Sequence, residues 1–305
     1  MSDYPREGWS PRQSQSLLSR LSAYERAFFV VRRARGPFLY DIDNYKYVDF
    51  FLQGGEVLLG YKPEAFQRVK NDLNRVFYGK DLSLAHYRLE KRVWEWLEKT
   101  GVRVKAFRFF DSVGEAFLFL QEWVGFTTWE NRTWSVRLPS GQQRGEVVFF
   151  EALDANLESG FSSLSGMPIL VENGCFCRLS EGLSLSEGWE IVLLGGVVGN
   201  GAGGAMVISR TREMPLLSPI RVVTAVTIQR TFETLLEREG ISWPSLPSWI
   251  SQKGGMFLLP SYMKPEALLA SGVVSRRVGF FSFAHGEAEV RRLVRAIQGQ
   301  REPSV

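Results

Sequence analysis

Hydrophobic positions along the chain fall into helical and strand-like registers that alternate through most of its length. The spacing predicts an amphipathic helix over residues 14–34, running into Phe28, Phe29, Val30 and Val31. Aromatic and β-branched residues on both sides of Asp43-Asn44 predict a β-hairpin over residues 36–50. Pro63 stands at a helix N1 position ahead of residues 64–70. Ser83 caps a second helix over about 83–100, with Val93, Trp94 and Leu97 in its apolar stripe and Gly101 as its stop. Alternation over residues 102–110 predicts a strand. Asp111-Ser112-Val113-Gly114 then opens an apolar helix to about Gly125, and Ser112 and Glu115 have capping-box spacing.

Residues 127–165 show little periodicity apart from a strand at 146–150. Continuous apolar runs at 167–172 and 190–198 predict buried strands of the parallel type. Gly199-Asn200-Gly201-Ala202-Gly203-Gly204 reads as a turn before a strand at Ala205–Ser209. Ser218-Pro219 starts a long helix ending near Gly240, and Trp243-Pro244-Ser245-Leu246-Pro247 breaks the pattern. Strands near 256–259 and 278–283 and a helix after Gly286 complete the chain, without an internal repeat. Strands alternating with helices imply an α/β fold with a mostly parallel sheet. The front hairpin and the final strand–helix segment are expected to pair as a smaller α+β domain. The expected divisions are residues 1–62, 63–240 and 241–305.

Composition narrows the function. The 305 residues are 45% hydrophobic and 23% charged, enough apolar surface for a large core. Aromatic residues reach 13%, which points to broad packed faces or an oligomer interface. The net charge of +4 is not organised as a basic stripe with stacking aromatics, so no nucleic-acid partner is expected. Cys175 and Cys177 do not form a disulfide framework, and with His86 and His285 alone no metal site is expected. No window approaches a membrane span and the first residues lack an apolar signal core, so no membrane association and a cytoplasmic location are expected.

Three places are candidates for chemistry. The strand–Asp111-Ser112-Val113-Gly114–helix junction offers free N–H groups to an anion, or is an ordinary capped helix. Glu172 ends a buried strand, where ligands of α/β sheets collect; it is placed to pair with a protonated ring nitrogen, or already belongs to the next loop. Residues 199–204 satisfy G-x-G-x-x-G, the basis of an alternative reading as a nucleotide-dependent oxidoreductase. That motif needs a helix and an acid after it, and a strand follows here. His285 precedes a helix, where it caps or packs. No nucleophile elbow, Walker sequence or Ser-His-Asp order is present.

The run from Phe28-Phe29-Val30-Val31 through Gly36-Pro37-Phe38-Leu39-Tyr40-Asp41 to Tyr45-Lys46-Tyr47-Val48-Asp49-Phe50 resembles the N-terminal hairpin of class III aminotransferases, in particular the glutamate-1-semialdehyde 2,1-aminomutases. Leu58-Leu59-Gly60-Tyr61-Lys62-Pro63-Glu64 is similar to the family's Leu-Gly-His-x-x-Pro-x turn. Residues 107–116 are similar to its strand followed by Asn-Ser-Gly-Thr-Glu-Ala. Residues 255–260 and 280–297 resemble its C-terminal segment, with Ser282, Ala284 and His285 in a Ser-x-Ala-His pattern. The likeness covers about 27–126 and 255–299 and is thin between them.

The resemblance implies the fold type I architecture of pyridoxal-phosphate enzymes, with helices on both faces of the sheet and a homodimer that holds the site between subunits. It implies that Ser112, Val113 and Gly114 cup the cofactor phosphate, with the family's Gly-Thr changed to Val-Gly. Ile169-Leu170-Val171-Glu172 is similar to the strand whose aspartate binds the pyridine nitrogen. Leu194-Gly195-Gly196-Val197-Val198-Gly199-Asn200-Gly201 stands against Leu-Gly-Lys-Ile-Ile-Gly-Gly-Gly, which puts Gly196 at the place of the Schiff-base lysine. No lysine lies between Lys105 and Lys253; Lys253 and Lys264 are remoter sources of an amine. The Tyr/Phe-His-Gly segment that stacks on the cofactor ring is missing, and the stretch between the phosphate loop and the lysine position reads as shortened. The expectation is a catalytically inactive relative that acts as a binding or scaffold partner, as a homodimer or paired with an active family member. It would hold no cofactor, or pyridoxal phosphate without a covalent link. The alternative is an enzyme that uses pyridoxal or pyridoxamine phosphate without the lysine.

Overall fold

The computed structural model of the protein describes residues 12–13, 29–73, 79–124, 134–137, 146–151, 166–172, 191–238, 242–260 and 262–300. The contacts divide the chain into two units. One holds residues 1–52, 57–63 and 243–305, and the other holds residues 53–56 and 64–242.

In the first unit, β1 (Val31–Arg35), β2 (Phe38–Asp41), β3 (Lys46–Asp49) and β12 (Val273–Val274) form one sheet in that order. The Asp43-Asn44 hairpin joins β2 to β3 in antiparallel register, with Asn44 at φ +67°. The predicted helix over 14–34 is corrected at its end: Val31–Arg35 is strand β1, paired through Gly36 to β2. Cross-strand pairing outweighs a helical periodicity that ends in β-branched residues. Residues 14–28 lie outside the described set.

A second sheet joins β10 (Ser251–Lys253), β11 (Met256–Leu258) and β13 (Val278–Phe280), all antiparallel. Helices α5 (Pro265–Ala270) and α6 (Glu287–Gln298) complete the unit. Its core gathers Phe50, Phe257, Phe281, Leu293 and Ile297. Two buried aspartates organise the front of the chain. Asp41 accepts hydrogen bonds from Tyr47 Oη and Tyr45 N, both at 2.8 Å. Asp49 accepts from Phe51 N, Leu52 N and, at 2.5 Å, Tyr61 Oη. Burial raises both carboxyl pKa values despite these donors.

In the second unit, six strands lie in the order β4-β9-β8-β7-β6-β5. They are β4 (Ala106–Phe110), β5 (Trp134–Arg137), β6 (Glu146–Glu151), β7 (Gly166–Glu172), β8 (Ile191–Leu194) and β9 (Ala205–Ser209). Only β6–β7 and β7–β8 pair in parallel; β4–β9, β8–β9 and β5–β6 are antiparallel. The expected mostly parallel sheet is thus corrected to a mixed one. The physical reason at β8–β9 is length: ten residues bring the chain straight back, too few for a crossover helix.

The central strands β8 and β9 are buried at every position, which accounts for their continuous apolar runs. Ile191, Leu193, Ala205 and Val207 face α3 (Val113–Val124) through Phe119 and Leu120. Val192, Leu194, Met206 and Ile208 alternate to the opposite face and are equally buried. Helices α1 (Glu64–Leu73), α2 (Leu84–Lys99) and α4 (Val222–Leu236) pack together, with Trp96 edge-on to Phe232 at 5.1 Å. Arg230 on α4 pairs with Asp72 on α1 and with Glu233, and Arg92 on α2 also reaches Glu233, at 3.4 Å. This ties the three helices by a charge network as well as by apolar contact. Among the described residues, no helix is long and apolar enough to cross a membrane.

Candidate functional site

β4, β8, β7 and β6 point the same way, so their carboxyl ends share one edge of the sheet. In register, Phe110 lies opposite Ala205, Leu194 opposite Met206, Glu172 opposite Leu194 and Glu151 opposite Val171. The edge therefore gathers Ser112 after β4, Gly204 before β9, Gly196 after β8 and Glu172 at the end of β7. Residues far apart in sequence meet there because parallel strands deliver all their carboxyl ends to one side.

At the β4 end, Ser112 caps α3. Its Oγ accepts from Glu115 N at 3.2 Å, and Glu115 Oε2 returns to accept from Asp111 N at 3.1 Å. Val113 and Gly114 are the first residues of the helix, where N–H groups lack intrahelical acceptors. A Cβ on Gly114 would meet only Ser112 Oγ, at 3.8 Å, so packing does not require glycine there.

Asp111 belongs to the junction read from the sequence, but the pattern gave its side chain no role. Its Oδ1 accepts from Arg221 N at 2.9 Å and from Thr224 Oγ1 at 2.6 Å, while Lys80 Nζ stands 3.3 Å from Oδ2 and Arg221 Nε 3.9 Å. Burial alone would raise the Asp111 pKa. The donors from Thr224, Arg221 and Lys80 outweigh it and hold the carboxyl below its ordinary value. Arg221 and Thr224 lie 110 and 113 positions further on, and Lys80 lies before it on the other side of α2, so no sequence spacing marks it. Asp111 O also accepts from Gly204 N at 3.2 Å.

The glycine run between β8 and β9 has a conformational purpose. Gly201, Gly203 and Gly204 take positive φ, as does Asn200. A Cβ on Gly204 would collide with Ile228 and Thr224 of α4. Strand β9 follows at once, so the helix that a dinucleotide site requires is absent, and the oxidoreductase reading is corrected on that ground. The predicted strand over 190–198 is also shorter: β8 stops at Leu194, and Gly196–Gly199 form a buried 3-10 turn.

Gly196, the place of the expected lysine, opens that turn. A Cβ built on it would run into the carboxyl group of Glu56, whose carbon and both oxygens lie closer than any real Cβ contact. Glu56 belongs to the same unit as Gly196. It follows a left-handed turn: Leu52, Gln53, Gly54 and Gly55 have φ of +50°, +56°, +78° and +90°. Left-handed backbone costs a residue with a side chain about 1–2 kcal/mol, and such strain is held where the surroundings over-determine it. Burial raises the Glu56 pKa, and no hydrogen bond or ion pair to it occurs among the described residues.

Glu172 is placed by its backbone, at the end of β7. Lys253 and Lys264 belong to the first unit. The lysine that the second unit brings to the strand edge is Lys80, on the β4 side and engaged with Asp111. His285 is a packing residue. Its Nδ1 accepts from Ser282 N at 2.9 Å, its ring stacks on Phe50 at 4.5 Å, and burial lowers its pKa to about 3. His86 repeats the same local motif with Ser83 and also bonds Ile220 O at 2.8 Å. Cys175 and Cys177 lie outside the described residues, among which no His, Cys, Asp and Glu cluster of metal-binding size occurs.

A pyridoxal phosphate anchored through a lysine does not fit this edge. The β4 side offers a helix N-terminus and a hydroxyl, but the β8 side offers glycine and a carboxyl where the cofactor's aldehyde needs an amine.

No protein-family model matches the chain, and no curated protein matches it in sequence. Solved structures do. A transaminase with PLP bound has a TM-score of 0.66 at 10% identity, over 96% of this chain and 97% of its own. An ω-transaminase from Sphaerobacter thermophilus has 0.64 at 13%, over 97% and 99%. A lysine-to-alanine variant of a glutamate-1-semialdehyde aminomutase from Pseudomonas aeruginosa PAO1, in complex with PMP, has 0.67 at 10%, over 95% and 94%. These alignments reach across nearly all of each neighbour and lend no support to a shortened middle. In architecture, then, this chain carries the fold of the PLP-dependent aminotransferases.

Proposed function

We propose that this protein uses the aminotransferase fold for binding, without the lysine-anchored chemistry of the cofactor. The observation that carries the reading is the Glu56 carboxyl in the side-chain space of Gly196. A lysine there would form the covalent link to the cofactor and move the proton at the substrate carbon. Glycine supplies neither, and loss of a general base alone costs about 10²–10⁴ in rate. A carboxyl in the same space can exchange a proton but cannot condense with an aldehyde.

The proposed partner is a second copy or an active member of the family. The solvent face of α2 carries Leu84, Tyr87 and Trp94, and Leu82, Leu118 and Leu216 are also exposed. Leu84, Tyr87 and Trp94 share one face of α2 by helical spacing, and it is a contiguous exposed apolar patch of this kind that marks an interaction surface.

The test is to incubate the protein with pyridoxal phosphate, reduce with borohydride, and map any mass increase by peptide. The expected result is no stoichiometric adduct at one lysine and no transamination. A single-site adduct, on Lys80 or elsewhere, accompanied by turnover overturns the reading.

A second reading, non-covalent binding of pyridoxal or pyridoxamine phosphate, is favoured by the capped N-terminus of α3 beside Lys80 and Arg221. A neighbour that carries a lysine-to-alanine change and holds PMP supports it.

A further inference from the structure

We propose that a cavity within the first unit, walled by the arginine face of α6, binds a small soluble molecule that carries a diphosphate. The site shares no residue with the strand edge around Gly196.

The local sequence builds the wall. Ala288, Arg291, Arg292 and Arg295 stand three, four and seven positions apart, so they lie along one face of α6. Val290, Leu293 and Ile297 take the other face into the core of the unit. Between the arginine face and the segment at Ser271 lies a cavity of about 480 Å³, with Val48 of the buried strand β3 in its lining. Small-molecule sites measure roughly 300–1,000 Å³. The space stays open because the helix contributes methyl groups, from Ala288 and Ala296, between its arginines.

Charge in the cavity is one-sided. Three guanidinium groups line it with a single carboxylate, Glu289. That carboxylate is turned to the start of the helix, where its Oε2 accepts from Gly286 N at 2.9 Å. The Arg295 guanidinium has no hydrogen-bond or ion-pair partner among the described residues. Arg291 reaches Glu287 at 3.3 Å, but the two side chains are 62% and 88% exposed, so water weakens the pair and a more highly charged partner displaces it. Arg292 Nη2 donates to Ser271 O at 2.8 Å, which fixes its guanidinium on the wall. Arginine forks bond phosphate oxygens two at a time, and Arg291 and Arg295, one helical turn apart, are spaced for the two ends of a diphosphate. The apolar lining is limited to Val48, Ala288 and Ala296, none of them large enough to enter a bilayer, so the fit is to a soluble molecule and not to a lipid headgroup.

Inorganic pyrophosphate is the probe, titrated calorimetrically into the full chain at low salt. Saturable one-to-one binding is expected. Arg295→Gln and Arg291→Gln should each weaken it roughly tenfold to a hundredfold, the range of one charge-assisted hydrogen bond, and Arg295→Lys should fall between wild type and Arg295→Gln. Ala288→Leu changes no charge but fills the opening, at an exposed helical position that tolerates leucine, and should weaken binding by at least tenfold. Arg88→Gln, which removes an exposed arginine from α2, should leave the affinity unchanged. Thermal midpoints measured without ligand check that each variant is folded. No saturable binding at millimolar pyrophosphate, binding that survives both Arg295→Gln and Ala288→Leu, or equal weakening by Arg88→Gln overturns the proposal. Sedimentation with phosphatidylcholine vesicles containing phosphatidylinositol 4,5-bisphosphate tests the source of the phosphates: no co-sedimentation is expected, and co-sedimentation that pyrophosphate displaces overturns the assignment to a soluble ligand.

Discussion

Thr224 donates a 2.6 Å hydrogen bond to Asp111, which fastens the first turn of α4 to the junction between β4 and α3. The same carboxylate takes the Arg221 amide and faces Lys80, so one side chain joins three segments of the second unit. Asp111→Ala should therefore destabilise the protein by about 1–3 kcal/mol in urea titration, because it strands donors that folding has withdrawn from water.

The pH dependence of that contribution has a definite sign. The folded pKa of Asp111 lies below its ordinary 3.8, so the unfolded chain takes up the proton first as pH falls. The stabilisation is complete above about pH 4 and is lost as pH drops through the folded value. The stability difference between wild type and Asp111→Asn should be flat from neutrality to that point and shrink below it.

Gly196 and Glu56 compete for one volume, and a double-mutant cycle should expose this. Gly196→Ala alone must push the Glu56 carboxyl aside, at about 1–3 kcal/mol for overpacking a buried turn. Combined with Glu56→Ala, the cost should fall by at least about 0.5 kcal/mol relative to the sum of the single changes. Strict additivity in chemical denaturation would show that the two residues do not share the space.

Two glycines at the same edge should respond oppositely to alanine. Gly204 has φ +90° and a Cβ there strikes Ile228 and Thr224, so Gly204→Ala should cost more than about 1 kcal/mol. Gly114 lies inside α3 with open space around it, so Gly114→Ala should be neutral or stabilise by up to about 1 kcal/mol. Thermal midpoints of the two variants decide the matter.

His285 should remain neutral in the folded protein well into acid, since burial lowers its pKa to about 3. The unfolded chain protonates it near 6.5, so this residue contributes stability that is present above that value and is lost as pH falls from 6.5 towards 3, at up to about 1.4 kcal/mol per pH unit. With two histidines in the chain, the titration can be followed by NMR, and a His285 midpoint near 6 would contradict its burial.

Patterns within a few residues were legible without coordinates. Asp43-Asn44 makes the predicted hairpin turn, Ser83 precedes the predicted helix, and Ser112 makes the predicted cap to Glu115 N, while the Glu115 carboxyl reaches back to Asp111 N, one residue beyond the cap. Local hydrogen bonding and turn geometry depend on neighbours in sequence, so sequence carries them. The same holds for strands β8 and β9, whose apolar runs leave little choice but burial.

By itself, then, the sequence determined most local elements, the absence of a lysine between Lys105 and Lys253, and the resemblance that sets Gly196 where a lysine is expected. Only the tertiary structure decided what fills that place and what surrounds it. Glu56 lies 140 positions before Gly196, and Asp111 meets Thr224 across 113. Such contacts follow from the order and direction of strands in a sheet, a property of the whole chain that no local periodicity contains.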